Sequence, residues 1–450
     1  MPIHGLKALI LGAALATIAA PAEKLAPTPP MGWNSWDAYG LTINEEQFRA
    51  NAQVLAGLKS DGWNYAVVDE GWYFADPQAR PEARKSSWDS NGRLIPDAVR
   101  FPSAANGAGF KPLADWTHAR GLKFGIHIVR GIPKEVVNAN LPVADSGFHA
   151  GEAADTSDLC PWDNGNFGVR DNAAGQAFYD SLMRLYAKWG IDFLKVDCIA
   201  DHPYKGAEIR MIATSIKKAG RPIVLSLSPG PTDPIHAAEV AEYSQMWRIA
   251  DDIWDGWDFH SHGFPNGILS AFDNLAKWAK YVKPGNWPDA DMLPWGSLTP
   301  HPGWGQPRQS RITQDEQRTQ FALWAISRSP MILGANLTKL DDFTRSLITN
   351  KEIVAIDQAA VTSAEIPGDP EDSTRVRVWL AATGGPRPKR YIAVFNLQET
   401  ALQRDVAWPA PLAGKIHAAY EIWNQRNVPS AAALHVELAP HACAVFRVER

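Results

Sequence analysis

Two apolar segments of this 450-residue chain end on acidic side chains, and both have the composition of β-strands. The first runs from Ile191 to Asp197, and the second runs from Ser244 to the adjacent pair Asp251 and Asp252. In a barrel of alternating strands and helices, the C-terminal strand ends face the active site, so acids there are typical of catalysis. Two carboxylates that face one pocket can cleave a glycosidic bond, one at the anomeric centre and the other as proton shuttle.

Basic side chains accompany these acids. Lys195 lies two residues before Asp197, and alternation along a strand should point both to the same side. Its ammonium would keep Asp197 ionised, as a nucleophile must be. Arg248 can hold a sugar hydroxyl or orient a carboxylate with its bidentate fork. Because Asp251 and Asp252 are adjacent, they should point to different sides, and only one of them can serve as the acid/base.

A further acidic pair and two tryptophans are candidates for sugar binding. Asp69 and Glu70 end a third strand-like segment, and paired acids suit the hydroxyls of a sugar. Trp33 and Trp36 offer apolar ring surface for stacking. A solvated strand end or a helix N-cap explains any one acid by itself better than catalysis does. That explanation weakens for several acidic strand ends that also carry Lys and Arg.

Strand-like and helical segments alternate along most of the chain, which is typical of βαβ units. The predicted strands cover residues 30–34, 65–70, 122–128, 191–197, 221–226, 244–249, 291–293 and 329–333. About eight such strands favour a closed (β/α)8 TIM barrel over an open sheet. Two long polar segments, 130–171 and 254–309, follow strand ends, so we expect them to be loops that wall the pocket.

Beyond residue 357 the pattern changes to short segments with period-two character. They cover 375–380, 391–397, 417–423, 433–438 and 443–448, with turn residues such as Gly384-Gly385-Pro386 between them. This pattern predicts an antiparallel β-sandwich. We therefore expect a catalytic barrel over 26–357 and a C-terminal β-sandwich over 358–450. The sandwich could bind glycans, but packing against the barrel is the simpler role.

The N-terminus has the pattern of a secretory signal peptide. Lys7 precedes the apolar stretch 8–20, and Ala20-Pro21-Ala22 suits a cleavage site. The stretch is shorter than the roughly 20 residues of a membrane-spanning helix. We expect removal of residues 1–22 and a secreted or periplasmic enzyme; the alternative is an uncleaved amphipathic N-terminus. The net charge of -5 gives no reason to expect nucleic acid or an anionic membrane surface as a partner.

Three cysteines are present, at positions 160, 198 and 443. In an exported protein two of them can pair. Cys198 directly follows Asp197, and Cys160 lies in a loop expected on the same face of the barrel, so a Cys160–Cys198 disulfide is predicted. The alternative is two buried free thiols. The spacings do not suit a zinc site.

Eight sequence blocks occur in an order that resembles glycoside hydrolase family 27, the α-galactosidase and α-N-acetylgalactosaminidase family. They are PPMGWNSWDAYG (29–40), VVDEGW (67–72), GLKFGIHI (121–128), DFLKVD (192–197), MWRIADDIWDGW (246–257), GNWPDADML (285–293), SRSPMILGANL (327–337) and NKEIVAIDQ (350–358). The resemblance runs from about 28 to 358, and in that family a β-sandwich follows the barrel. It implies a retaining mechanism without a metal or organic cofactor.

The resemblance also implies roles for individual residues. Asp197 would be the nucleophile, and Asp252, rather than Asp251, would be the acid/base. The expected substrate-binding residues are Trp36 on the apolar face of the sugar, Asp69 and Glu70 on the galactose 4- and 6-hydroxyls, Lys195 and Arg248. Three positions depart from the common pattern: Glu70 replaces Asp, His127 replaces Tyr, and Ser228 in LSLSPG replaces Glu. They touch the periphery of the sugar and bear on its identity.

These departures leave four functional hypotheses. The leading one is an exported α-galactosidase acting on a terminal α-galactose-like sugar of a small or polymeric substrate. A β-L-arabinopyranosidase is the second, because its sugar is α-D-galactopyranose without the C5 hydroxymethyl group, the space that the extra methylene of Glu70 would enter. An α-N-acetylgalactosaminidase is the third, because Ser228 is small. A non-catalytic carbohydrate-binding protein is the last, and it would require the catalytic acids to be missing or misplaced.

Overall fold

A computed structural model describes residues 25–261, 263–299, 307–368, 375–409, 412, 418–429 and 433–449. The predicted signal peptide, residues 1–22, and the residue expected to begin the mature chain, Glu23, lie outside this part of the chain. Within it, no helix is both long and apolar enough to cross a membrane.

Eight parallel strands form the predicted barrel. They are β1 (Met31–Asn34), β2 (Tyr65–Val68), β3 (Lys123–Val129), β4 (Phe193–Asp197), β5 (Val224–Leu227), β6 (Met246–Arg248), β7 (Trp287–Asp289) and β8 (Met331–Leu333). The order is β7-β6-β5-β4-β3-β2-β1-β8, so neighbours in space are neighbours in sequence. A parallel bridge between Leu293, just beyond β7, and Leu333 of β8 joins the two ends of the sheet. The chain is a (β/α)8 barrel, as predicted.

Helices connect successive strands and cover the outside of the barrel. They are α1 (Glu45–Ala56), α2 (Lys111–His118), α3 (Ala173–Trp189), α4 (Gly206–Ala219), α5 (Ala237–Tyr243), α6 (Ile268–Trp278), α7 (Gln314–Ser327) and α8 (Lys351–Ala359). Asn44 and Gln47 form the capping box that starts α1. Gly190 ends α3 with a φ of 86°, a conformation that glycine adopts without steric cost.

The connections also contain shorter elements. Short α-helices cover Trp36–Tyr39, Lys134–Asn138, Ala150–Ala153 and Asp342–Ile348, and 3₁₀ turns cover Gly40–Thr42, Lys59–Asp61, Pro81–Ala83, Pro102–Gly107, Pro234–His236, Ala279–Tyr281 and Leu337–Lys339. Ile132–Pro133, Ala154–Leu159 and Asn166–Val169 form a three-stranded sheet within the predicted 130–171 loop, and Ser297–Leu298 pairs with Arg308–Gln309. The long loop after β3 therefore has a regular framework.

The seventh strand lies four residues earlier than the sequence pattern indicates. It is Trp287–Asp289, not 291–293. Pro288 argues against a strand there because it has no N–H to donate. In the barrel it needs none: Trp287 donates its N–H to Gln245, and the carbonyl of Asp289 accepts from Ile249. The ladder uses the residues on either side of the proline.

Two antiparallel sheets follow the barrel and form the predicted β-sandwich. One contains Ala360–Glu365, Val376–Thr383, Arg390–Asn396, Cys443–Glu449, Ala418–Glu421 and Arg426–Val428, and the other pairs Leu402–Ala407 with Ala433–Leu438. Ile392, Val436 and Phe446 belong to the core between them. The opposite face of the larger sheet packs, through Trp379 and Phe395 among others, into the core of the barrel helices.

Cys160 and Cys198 form the predicted disulfide, and Cys443 is a buried free thiol. The bond joins the long loop after β3 to the residue that follows Asp197. We expect one free thiol per unreduced, denatured chain, measured with a thiol reagent, and three after reduction. Because the bond closes a loop with a sequence separation of 38 residues, Cys160→Ser should lower the free energy of unfolding by about 2–4 kcal/mol. Three thiols before reduction would show that the pair does not form.

Candidate active site

Side-chain alternation on the strands decides which groups reach the inside of the barrel. On β4, Leu194 and Val196 pack outward into the core beneath the helices, whereas Phe193 belongs to an inner cluster at the N-terminal end of the barrel. Lys195 and Asp197 share the side of Phe193 and lie progressively closer to the C-terminal end. The inner cluster fills the lower barrel, so the polar side chains above it have an apolar floor.

A small pocket lies at the C-terminal ends of the strands. It is lined by Trp36, Asp37, Asp69, Glu70, Trp162, Lys195, Asp197, Ser228, Arg248, Asp252, Ile253, Trp254, Asp291 and Met292. Eight of the nine predicted catalytic and substrate-binding residues are in this set, and the ninth, His127, contacts Asp197. A larger open groove beside α1 shares none of these residues.

Asp197 is held by two neighbouring groups. The N–H of Cys198 donates to its Oδ1 at 2.6 Å, and His127 Nε2 lies 3.4 Å from its Oδ2. Burial by itself would raise the pKa of Asp197, but His127, the charge of Lys195 and the Cys198 N–H together lower it. With its pKa lowered, the Asp197 carboxyl group favours the ionised form, which is the form that can act as a nucleophile.

The Lys195 ammonium pairs directly with Asp69 rather than with Asp197. Its Nζ lies 3.1 Å from Asp69 Oδ2, which also accepts from Asn34 Nδ2 at 2.6 Å. Burial would raise the pKa of Asp69, but Lys195, His127 and the surrounding donors lower it to about 2. Burial would likewise lower the pKa of Lys195, and the surrounding carboxylates raise it instead. Both groups stay charged.

Arg248 divides its guanidinium between two carboxyl groups. Nη2 donates to Asp252 Oδ1 at 3.1 Å, and Nη1 lies 2.9 Å from Asp291 Oδ1. The other oxygen of Asp291 accepts from the N–H of Ile253 at 2.7 Å, which fixes the residue after Asp252. Burial raises the pKa of Asp291 to about 7. The charges of Asp252 and Asp289 add to this effect, and Arg248 opposes it. Asp252 is 39% exposed and is the accessible member of the group.

The two adjacent aspartates point to different places, as predicted from their spacing. Asp252 lines the pocket, whereas Asp251 does not. Asp251 Oδ1 lies 3.9 Å from His202 Nε2, outside the pocket lining. Burial raises the pKa of Asp251. Of the two neighbours, only Asp252 faces the pocket.

Glu70 lies beside Asp163, a residue of the long loop after β3. Burial raises its pKa well above the usual range, and the charges of Asp163, Asp197 and Asp69 raise it further. Its carboxyl group is hydrogen-bonded to Asp163. Glu70 therefore holds a proton more readily than Asp69, whose pKa is lowered.

The remaining predicted residues are also located. Trp33 is fully buried in the core and offers no ring face to a sugar, so its prediction as a stacking residue was wrong. Trp36 contributes to the pocket wall. Ser228 is positioned by two backbone hydrogen bonds to β4 and the residues that follow it: its N–H donates to the carbonyl of Val196, and its carbonyl accepts from the N–H of Ile199 at 3.1 Å. His127 lies against Asp197, and its Nδ1 has no hydrogen-bond partner within the described chain.

Sequence reasoning missed several pocket residues. Asp291 follows β7, but the sequence pattern placed it at the start of the predicted strand 291–293, so the rule of acids at strand ends did not select it. Asp37 is buried with its Oδ2 unpartnered among the described residues, and burial raises its pKa well above the usual range. Its position directly after Trp36 was the available signal. For Trp162 the sequence offered only its position two residues after Cys160, because the local sequence of a loop does not show which way the loop folds.

No group of three or more His, Cys, Asp or Glu side chains in the described part of the chain is arranged to hold a metal ion. The polar groups of the pocket are carboxyls, one ammonium, one guanidinium and one hydroxyl, with Trp36, Trp162 and Trp254 around them. Carboxyl groups whose pKa values are shifted in opposite directions, beside aromatic surface, suit a sugar and acid/base chemistry on it. Together with the (β/α)8 barrel, this pocket defines a glycoside hydrolase.

Comparison with known proteins identifies the family. A protein-family model described as α-galactosidase A matches residues 28–136 and 163–359 of this chain. α-Galactosidase A of Cellvibrio japonicus is 32% identical over 367 residues, which are 78% of this chain and 74% of the relative. The chain belongs to glycoside hydrolase family 27, the α-galactosidase family, as its sequence blocks indicated.

The names of two further relatives concern the identity of the sugar. The crystal structure of a family 27 β-L-arabinopyranosidase from Geobacillus stearothermophilus superposes with a TM-score of 0.87 at 39% identity, covering 94% of this chain and 97% of that one. An α-N-acetylgalactosaminidase of Gallus gallus is 27% identical over 356 residues, which are 74% of this chain and 71% of the relative. All three sugars of the sequence hypotheses thus occur among the names of its relatives.

Proposed function

We propose that this protein is a retaining exo-glycosidase that removes terminal α-D-galactosyl residues. In the first step Asp197 attacks the anomeric carbon while Asp252 gives its proton to the departing glycosidic oxygen, which leaves a covalent glycosyl ester on Asp197. In the second step Asp252 takes a proton from water as the water oxygen attacks the same carbon. The ester bond to Asp197 breaks, and two inversions restore the original configuration.

One observation carries this proposal. Asp197 at the end of β4, whose pKa is lowered, and the exposed Asp252 in the segment after β6 line the same small pocket. The surrounding groups support it, because Arg248 orients Asp252 and the Asp69–Lys195 pair offers charged partners for hydroxyls. The curated relatives named as α-galactosidases support galactose as the sugar.

A panel of three aryl glycosides tests the proposal: the α-D-galactoside, the β-L-arabinopyranoside and the α-N-acetyl-D-galactosaminide. We expect hydrolysis of the α-D-galactoside, and hydrolysis of the β-L-arabinopyranoside without it would favour the second candidate described below. Proton NMR taken during the reaction should show the product first in the anomeric configuration of the substrate. Initial appearance of the other anomer would contradict retention, and the absence of hydrolysis with all three would contradict the proposed reaction.

Glu70 favours a second candidate, a preference for β-L-arabinopyranosides. This sugar has the ring of α-D-galactose but lacks the hydroxymethyl group on C5. Glu70 is one methylene longer than aspartate, and the hydrogen bond to Asp163 restrains its carboxyl group. If it lies beside C5, the longer side chain fills the space that the hydroxymethyl group requires. The Geobacillus β-L-arabinopyranosidase, with 39% identity, supports this candidate.

Shortening Glu70 distinguishes the two sugars. In Glu70→Asp, the ratio of kcat/KM for the α-galactoside over the β-L-arabinopyranoside should rise about tenfold, equivalent to roughly 1.4 kcal/mol of differential transition-state binding. Glu70→Gln is the matched control, since it keeps the methylene and should leave the ratio near that of the wild type. An unchanged ratio in Glu70→Asp would place the discrimination elsewhere, at His127 or in the Ser228-Pro229 loop.

We further propose that the protein is exported. The N-terminal sequence pattern supports this, and so does the Cys160–Cys198 disulfide, because such bonds persist in oxidising compartments. Protein recovered from the native host should lie outside the cytoplasm, and N-terminal sequencing should begin near Glu23. Recovery of Met1 at the N-terminus of the native protein would refute cleavage.

A further inference from the structure

An exposed tryptophan stands at the edge of the catalytic pocket. Trp162 lines the pocket together with Lys195 and Asp197, yet 46% of it is exposed to solvent. The large apolar side chains that the structure describes as exposed are Val99, Leu159, Trp162, Ile235, Phe264 and Val361, and Trp162 is the tryptophan among them. Its ring leaves apolar surface uncovered beside polar groups that bind a sugar.

The loop that carries Trp162 is held in place from several sides. The disulfide to Cys198 begins two residues before it, at Cys160. Asp158, four residues before it, pairs with the buried guanidinium of Arg130 at 2.9 Å and with Lys205 at 2.8 Å. Asp163, the next residue, bonds to Glu70. With anchors before and after it, the Trp162 ring is a fixed surface, and binding against it costs little conformational entropy.

Trp162 and the proposed proton donor Asp252 line the same pocket, and a chain of contacts runs from Trp162 toward the donor. The Trp162 ring contacts the His202 imidazole, with centroids 5.0 Å apart, and His202 Nε2 is 3.9 Å from Asp251 Oδ1. Asp251 adjoins Asp252, the proposed proton donor. Because the donor must reach the glycosidic oxygen, the group attached to that oxygen passes beside these residues.

We propose that Trp162 and His202 form a subsite for the leaving group and that its occupant is a pyranose ring. This inference rests on the proposed function, because it takes Asp252 as the proton donor. The apolar face of the sugar packs on the Trp162 indole, which has the aromatic surface that such contacts use. His202 is 48% exposed, and it supports the tryptophan from the side. The preferred substrates are therefore oligosaccharides rather than glycosides of small alcohols.

Two substrates with similar leaving oxygens but different leaving-group size test the subsite. They are the methyl glycoside and the glycoside linked to C6 of D-glucose, both carrying the terminal sugar that the aryl panel selects. Without the indole, the ratio of kcat/KM for the disaccharide over the methyl glycoside should fall about tenfold in Trp162→Ala, and less in Trp162→Phe, which keeps an aromatic face. Val361→Ala, on the sandwich, is the control for loss of exposed apolar surface and should keep the wild-type ratio.

A second measurement does not depend on how much of the variant folds. Methyl β-D-glucopyranoside at high concentration can replace water: its hydroxyl attacks the glycosyl ester, Asp252 accepts the proton, and Asp197 leaves as carboxylate. The ratio of transfer product to hydrolysis product should fall about tenfold in Trp162→Ala if the acceptor binds on the indole. A wild-type partition or a wild-type substrate ratio in Trp162→Ala would overturn the subsite. Failure of the wild type to hydrolyse either glycoside would instead contradict the proposed function.

Discussion

Asp197→Asn should lower the turnover of the enzyme on the order of 10⁴-fold or more while leaving the fold intact. An amide does not attack the anomeric carbon, and the glycosyl ester can then no longer form. The carboxamide is close in size to the carboxylate and can still accept the Cys198 N–H that now reaches Oδ1 at 2.6 Å. Steady-state rates with an activated aryl glycoside measure the loss, and thermal unfolding checks the fold.

Azide separates loss of the nucleophile from general damage. In Asp197→Asn, azide takes the place of the missing carboxylate as nucleophile, and it should partly restore turnover and give a glycosyl azide of inverted configuration. This outcome requires an intact proton donor and an intact sugar site. Turnover by Asp197→Asn close to that of the wild type, without azide, would eliminate Asp197 as the nucleophile.

Asp252→Ala should slow substrates with poor leaving groups by about 10²–10⁴-fold, and activated aryl glycosides much less. The reason is that an alkoxide needs a proton as it departs, whereas a nitrophenolate hardly does. Rates across a series of aryl glycosides with leaving groups of increasing pKa measure the difference. Here azide should intercept the glycosyl ester on Asp197 and give a product of retained configuration, opposite to that expected from Asp197→Asn.

Asp251→Ala is the matched control, because it removes the same group from the neighbouring position. Asp251 lies near His202 and outside the pocket lining, so its loss should not make the rate depend on the leaving group. If Asp251→Ala shows that dependence and Asp252→Ala does not, the two roles must be exchanged. If Asp251→Ala instead loses activity equally on substrates with good and with poor leaving groups, the segment after β6 has moved.

The sequence alone was enough to predict the barrel, the sandwich and the neighbourhood of the pocket. Alternation of apolar segments and the presence of acids at their ends are local features, and they identified strands such as β2 and β4 with their terminal Asp69 and Asp197. Local patterns were less reliable where composition is mixed. Leu402–Ala407 carries both Arg404 and Asp405, and it was not predicted as a strand although it pairs with Ala433–Leu438.

The partners of the predicted residues depended on contacts between distant parts of the chain. The spacing of Lys195 and Asp197 predicted correctly that they share one side of β4, because alternation is a property of a single strand. It could not show that the ammonium bonds to Asp69, 126 residues away, since that depends on which strands become neighbours in the barrel.

What the sequence by itself determined, therefore, is the kind of chemistry and the strand ends that carry it. The tertiary structure decided how the charges are distributed: His127 lies against Asp197, Asp291 shares Arg248 with Asp252, and Asp163 bonds to Glu70. It also decided that Trp162 stands at the edge of the pocket. The physical reason is that closure of the barrel and the path of a crosslinked loop bring together side chains whose proximity no local periodicity encodes.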